Sequence, residues 1–165
     1  MKTLIKFGIL FFAVAIVDYT HAQKHQSSFQ LEDNITITAT TEIFHWKEHE
    51  LDTCRTTEGK KICLIDNKIF FGTDGLELPK YELKELLIVL DGVTIPLETS
   101  GMYNPNVHHA DLRKLQFKIV KSDPGYLLTG FFSDGIGTYI AQWLILKKNA
   151  IRIKISNKEN DIDGE

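Results

Sequence analysis

The stretch LLIVLDGVTIPL, residues 86–97, decides the fold. Asp91 and Gly92 are a two-residue turn signal of the kind that joins antiparallel strands in a tight hairpin. Across that turn six apolar side chains face one another, namely Leu90 with Val93, Ile88 with Ile95, and Leu86 with Leu97. Shifting the register by one residue would move this apolar set to the other face. The turn and the pattern therefore predict the same hairpin, with one buried face.

Apolar and polar residues alternate along much of the remaining chain, as they do in half-buried strands. The alternation covers residues 35–44, 115–119 and 152–155, and residues 126–132 and 138–147, which lie between turn signals, are predicted as two further strands. Sustained helical periodicity is missing from every stretch of roughly a dozen residues or more. We therefore predict a mainly β fold with little helix, either an antiparallel sandwich or a partly closed barrel built from hairpins.

The last of these strands is predicted to be amphipathic. A turn at residues 149–150 would place two isoleucines on one face and two cationic side chains on the other. The predicted pairs are Ile153 with Leu146 and Ile155 with Leu144, which leaves Arg152 and Lys154 on the opposite face.

The beginning of the chain has the three parts of a secretory signal peptide. Lys2 and Lys6 give it a positive start, residues 7–17 are apolar, and residues 20–22 place small side chains at the cleavage position. Residues 1–22 are therefore predicted to be a cleaved signal peptide of a protein exported to the periplasm or outside the cell. The apolar run is too short for a membrane-spanning helix, which needs about twenty residues, so no span is expected after cleavage.

The part after the signal peptide is predicted to be one domain with short flexible ends. Residues 23–28 are polar and predict a flexible leader, residues 29–156 form the β-rich domain, and residues 157–165 predict an acidic, disordered tail. The formal net charge of the whole chain is −3 at pH 7, which argues against a nucleic-acid partner.

Cys54 and Cys63 are predicted to form a disulfide, because exported proteins meet an oxidising environment. Their spacing fits a hairpin in which the two cysteines face each other and residues 58–59 make the turn. The alternatives are a redox pair or half of a zinc site. Neither a Cys-x-x-Cys motif nor a second cysteine pair accompanies them, and the structural disulfide is therefore favoured.

Histidines are the main candidates for chemistry. His45 and His49 are four residues apart, and His108 and His109 lie close to Asp111, so several imidazoles could converge on a metal or serve a hydrolase. Their order does not match the zinc-protease motif. Histidines on a polar surface are the more common explanation, and no metal, cofactor or catalytic residue is assigned.

Two segments contain more aromatic and turn residues than simple connections need: SGMYNP at 100–105 and FFSDGIGTYIAQW at 131–143. Both phrases resemble motifs of small exported bacterial proteins of uncharacterised function, and the resemblance implies no activity. Aromatic residues beside polar turns are typical of recognition surfaces, although they also fill cores. The candidate binding residues are Met102, Tyr103, Asn104, Phe132, Asp134, Ile136 and Tyr139.

These observations favour an exported, non-enzymatic binding protein whose partner is another protein. Its narrowest form is a periplasmic inhibitor or immunity protein that occludes a toxic or lytic enzyme. The alternative is a small exported hydrolase or metal-dependent enzyme that uses His108, His109 and Asp111.

Overall fold

A computed structural model describes residues 24–57, 59–107, 116–133 and 135–162. The predicted signal peptide, residues 1–22, lies outside the described residues. Within the described ranges, no helix has the length and apolar character needed to cross a membrane.

The described residues form ten β-strands. In chain order these are β1 (His25–Glu32), β2 (Ile35–Ile43), β3 (Leu51–Thr56), β4 (Gly59–Ile65), β5 (Tyr81–Leu90), β6 (Val93–Leu97), β7 (Phe117–Ser122), β8 (Gly125–Phe132), β9 (Tyr139–Ile145) and β10 (Ala150–Ser156). One four-stranded sheet has the order β1-β2-β5-β6 and a second has the order β10-β9-β8-β7, while β3 and β4 make a separate two-stranded ribbon. All pairings of these strands are antiparallel, as predicted.

The main hydrophobic core of the described residues lies between the two four-stranded sheets. Ile37 and Ile88 from the first sheet and Leu128 and Trp143 from the second are each 0% exposed and belong to the same cluster. Burying a side chain of this size contributes about 1.5–3 kcal/mol. Two sheets that share one core make a β-sandwich, which is one of the two predicted architectures.

The predicted hairpin is confirmed in register. Leu86, Ile88 and Leu90 of β5 pair with Leu97, Ile95 and Val93 of β6. Five of these six side chains are buried, and the exception is Val93, which lies beside the turn and is 39% exposed.

Both ends of the domain differ from the sequence prediction. Residues 25–28, predicted as part of a flexible leader, belong to β1, where the buried Ser27 hydroxyl donates to the Val107 carbonyl at 3.3 Å. In the predicted disordered tail, Glu159–Ile162 forms one helical turn that an ion pair between Lys154 and Asp161 ties to β10. These side-chain contacts supply order that a polar composition does not predict.

The predicted register of β10 is wrong. Ile155 pairs with Ala141, and Ile153, at a bulge between Arg152 and Lys154, is 55% exposed. Arg152 faces the other way and donates to the Ser100 carbonyl at 2.7 Å. The four-residue connection between β9 and β10 is longer than the predicted two-residue turn, and this length and the bulge shift the pairing.

Candidate functional site

A groove of about 430 Å³ opens at the end of the sandwich where β5 begins and β6 ends. Three segments meet there: the connection from β4 to β5, the segment after β6, and the connection from β8 to β9. The lining residues are Gly72, Thr73, Asp74, Leu76, Glu77, Leu78, Lys80, Tyr81, Asn104, Asn106, Ser133, Ile136 and Gly137. The two motifs SGMYNP and FFSDGIGTYIAQW thus each supply part of one concave surface.

Asn104 holds two of these segments together. Its side-chain oxygen accepts hydrogen bonds from the backbone amides of Lys80 at 2.9 Å and Tyr81 at 3.1 Å. Its side-chain amide donates to the Gly72 carbonyl at 3.0 Å. The backbone of Asn104 has φ 42°, a left-handed conformation that asparagine tolerates better than most residues do.

Glycines permit the close approach of all three segments. Gly72 has φ 108°, and a Cβ at this position would overlap the Tyr103 carbonyl group. A Cβ at Gly137 would lie 2.7 Å from the Gly72 carbonyl oxygen. The floor of the groove is therefore backbone packed on backbone, and no side chain at these two positions could be accommodated without displacement.

An aromatic cluster supports the floor from below. Tyr139 is fully buried and its hydroxyl donates to the Tyr103 carbonyl at 3.1 Å. Burial raises the pKa of Tyr139 well above its usual value, so this hydroxyl keeps its proton. The rings of Phe132 and Phe71 pack on Tyr139 with centroid distances of 5.3 and 5.8 Å. These contacts fix the floor to the sandwich core.

The rim of the groove exposes large apolar side chains to solvent. Ile136 is 85% exposed, Leu76 is 54% exposed, and Tyr81 and Leu78 are about 40% exposed. A single exposed apolar side chain is ordinary, but four that border one concave feature form a patch of the kind that binds partners. The patch was only partly predicted, because Ile136 alone among these four was a candidate.

The structure separates the seven candidate binding residues into three groups. Asn104 and Ile136 line the groove. Asp134 lies outside the described residues. The other four, Met102, Tyr103, Phe132 and Tyr139, are at most 5% exposed and fill the core, so they cannot present a surface to a partner. The prediction of surface contact is therefore corrected for these four residues.

The connection from β4 to β5 contributed no predicted binding residue, although it forms most of the groove. Phe71, Gly72, Asp74 and Gly75 are turn and apolar residues without strand periodicity. Backbone hydrogen bonds from Phe71 to Gly101 and from Tyr103 to Phe71 place the segment. Residues 70–75, FFGTDG, are similar in composition to residues 131–135, FFSDG. This similarity is the one sequence signal that could have indicated a role for the connection in the groove.

The predicted disulfide between Cys54 and Cys63 is present. The register of its hairpin differs from the prediction, because Cys54 faces Lys61 and Cys63 is the unpaired residue of a bulge. The ribbon also contacts the groove wall, where the Ile62 amide donates to the Gly75 carbonyl at 2.9 Å. The disulfide therefore restrains the hairpin against which one wall of the groove rests.

His49 is the best-packed histidine of the described residues. It stacks on Phe44, its Nδ1 lies 2.7 Å from an Asp66 carboxylate oxygen, and its Nε2 lies 3.5 Å from a Glu82 oxygen. The hydrogen bond from His49 lowers the pKa of Asp66. This arrangement ties the end of the ribbon to β5.

The described part of the chain does not include the predicted enzyme residues, and it shows no grouped metal ligands. His45 lines the same small depression as His49, but no set of three histidine, cysteine or carboxylate side chains there is grouped to hold a metal. His108, His109 and Asp111 lie outside the described residues.

Fold and site together define a β-sandwich with an open, apolar-rimmed groove at one end and a disulfide-stapled ribbon beside it. No protein-family model, curated protein or solved structure matches the chain.

Proposed function

We propose that this chain is an exported, non-enzymatic binding protein that holds a protein partner in the groove. The observation that carries this proposal is the apolar rim, above all Ile136, set on a floor of backbone hydrogen bonds and close-packed glycines. When a partner covers apolar side chains that were exposed to water, the free energy falls, and this favours binding. A rim whose floor is already ordered loses less entropy on binding than a flexible loop does.

Export is supported by two features of the chain. The predicted signal peptide directs secretion, and the disulfide is the kind of bond that persists in an oxidising compartment. A periplasmic inhibitor or immunity protein, which occludes a toxic or lytic enzyme, is the narrowest form of the proposal. Such a protein needs a rigid binding surface and no catalytic groups of its own.

The proposal is tested by comparing variants as capture reagents. The protein without residues 1–22 is immobilised and exposed to the exported proteins of the cells that make it. In the variant Ile136→Asp a charge replaces the most exposed apolar side chain of the rim. In the matched control Val120→Asp the same charge stands on β7, where Val120 is 42% exposed.

We expect one protein to be retained in equal amounts by the unmodified chain and the Val120→Asp control, and to be lost with Ile136→Asp. A buried charge in an apolar interface costs several kcal/mol, so the loss should be at least about tenfold. Equal retention by both variants would contradict the proposal. So would turnover of a substrate by the purified protein.

A further inference from the structure

The connection from β4 to β5 makes its wall of the groove acidic as well as apolar. Asp74 and Glu77 lie on either side of Leu76 in the chain, and all three residues line the groove and are exposed. Within the described ranges, neither carboxylate takes part in an ion pair. Both negative charges can therefore pair with a cation on a partner.

Hydrogen bonds order the segment that carries Asp74 before any partner arrives. Asp74 Oδ1 accepts a hydrogen bond from the Leu76 amide at 2.9 Å, and the Thr73 hydroxyl accepts one from the Gly75 amide at 2.9 Å. The Gly75 carbonyl in turn accepts a hydrogen bond from the Ile62 amide of β4 at 2.9 Å. Because this wall is already ordered, binding against it has a small entropy cost.

The other lining residues compensate the negative charge of this wall only in part. The connection from β8 to β9 contributes Ser133, Ile136 and Gly137, none of which is charged. Lys80 is the one cation among the described lining residues, so two carboxylates and one ammonium give this lining a formal charge of −1. The whole chain has a formal net charge of −3 at pH 7, which attracts a cationic partner at longer range.

We propose that the groove binds a protein segment in which an apolar side chain is flanked by lysine or arginine. This inference rests on the proposed function and specifies the chemistry of the partner. The apolar side chain would contact Leu76 and Ile136, and the cationic groups would pair with Asp74 and Glu77. Charge complementarity across an interface of this kind sets specificity and the rate of association.

Two simpler ligands match the groove less well. A purely cationic chain would pair with the carboxylates but leave Leu76 and Ile136 exposed to water. An acidic chain would bring like charges against Asp74 and Glu77, which costs free energy, and would find a single cation in the lining. A segment that combines apolar and cationic side chains matches both parts of the surface.

The test uses fluorescent polymers of known composition. These are a random copolymer of lysine and tyrosine, a random copolymer of glutamate and tyrosine, and poly-L-lysine. Each polymer is titrated against the unmodified chain and three variants. The first variant, Leu76→Ser/Ile136→Ser, removes two apolar side chains from the rim and leaves the charge unchanged.

The second variant and its control differ only in where two charges are removed. Asp74→Asn/Glu77→Gln neutralises the groove wall and keeps a side-chain oxygen at position 74 for the Leu76 amide. The control, Glu32→Gln/Asp33→Asn, neutralises two exposed carboxylates at the turn between β1 and β2. That turn lies at the other end of the sandwich, because the start of β2 pairs with the end of β5 whereas the groove opens where β5 begins.

We expect the copolymer of lysine and tyrosine to bind more tightly than either of the other polymers. Neutralising Asp74 and Glu77 should weaken its binding by about fivefold, because two exposed ion pairs are lost. The control should weaken it by less than about twofold, since distant exposed charges are screened by salt. Added salt should reduce the difference between these two variants. The serine variant should weaken binding of the copolymer but leave binding of poly-L-lysine nearly unchanged.

Three results would overturn the inference: no binding of the copolymer of lysine and tyrosine to the unmodified chain, tighter binding of either other polymer, or equal binding by the carboxylate variant and its control. Circular dichroism of each variant excludes unfolding as the cause of a loss. If the serine variant weakens binding and the carboxylate variant behaves like its control, the proposed function stands while the inference fails. If neither variant weakens it, both fail.

Discussion

The side-chain amide of Asn104 donates a hydrogen bond to the carbonyl oxygen of Gly72 at 3.0 Å. This contact joins the SGMYNP motif to the connection between β4 and β5, 32 residues away in sequence. A Cβ at Gly137, in the other motif, would touch the same Gly72 carbonyl group. Gly72 is therefore the point at which all three groove-forming segments meet.

Replacing Asn104 with alanine should destabilise the protein by about 3 kcal/mol, because two backbone amides and one carbonyl lose their partner. Asn106→Ala is the matched control, since Asn106 also has a positive φ, 51°, but its side chain makes no hydrogen bond within the described residues. The control should lose only about 1 kcal/mol from backbone strain. Urea denaturation of both variants measures the difference in the free energy of unfolding. Equal losses would show that the Asn104 side chain does not hold the two segments together.

Gly72→Ala should be among the most damaging single substitutions, at more than about 4 kcal/mol, because its Cβ would overlap the Tyr103 carbonyl group. Gly92 provides the comparison. It also has a positive φ, 78°, but a Cβ at that position would have nothing within 4 Å of it. Gly92→Ala should therefore cost about 1 kcal/mol. Thermal unfolding that ranks the two variants equally would show that close packing at Gly72 is not the cause.

Removing the disulfide with Cys54→Ser/Cys63→Ser should lower the free energy of unfolding by about 2.5 kcal/mol, the entropy of closing a short loop. Hydrogen exchange should quicken at Ile62, whose amide bonds to Gly75, before it quickens in the buried β9. Addition of a reductant to the unmodified chain should reproduce both effects and leave the variant unchanged. An unaltered exchange rate at Ile62 would show that the disulfide does not stabilise the ribbon.

Acid should weaken the contacts by which His49 links the ribbon to β5. The pKa of Asp66 is lowered in the folded state, so its carboxylate contributes stability above the unfolded value of 3.8 and loses that contribution as the pH falls below it. Asp66→Asn keeps a residue that tolerates the positive φ of 52° at this position. Between about pH 5 and pH 3 the unmodified chain should therefore lose more stability than this variant. The measurement is the free energy of unfolding of both proteins as a function of pH. If the two curves run parallel between about pH 5 and pH 3, Asp66 does not have the proposed role.

Local patterns were sufficient to predict the hairpin of β5 and β6. Asp91-Gly92 fixed its turn and alternation fixed its buried face, so both signals were contained within twelve adjacent residues. The pairing of β10 was not predictable in the same way. Its register depends on a four-residue connection and on a bulge at Ile153, neither of which has a distinct sequence pattern.

The groove was only partly predictable for a different physical reason. Aromatic side chains beside turns are equally compatible with a core and with a surface, and Tyr139 and Phe132 proved to be core. Leu76 lies on the rim because the connection between β4 and β5 is placed by long-range backbone hydrogen bonds of Phe71 and Tyr103. Such bonds leave no local periodicity from which the position could be inferred.

The central claim, that Ile136 and its neighbours contact a protein partner, is tested most directly by site-specific photo-crosslinking. A photoreactive phenylalanine derivative replaces Ile136, Leu76 or, as a control on β7, Val120, and each protein is irradiated among the exported proteins of its own cells. We predict one shared adduct from positions 136 and 76 and none from position 120. The absence of an adduct at both groove positions, or the same adduct from all three, would contradict the account.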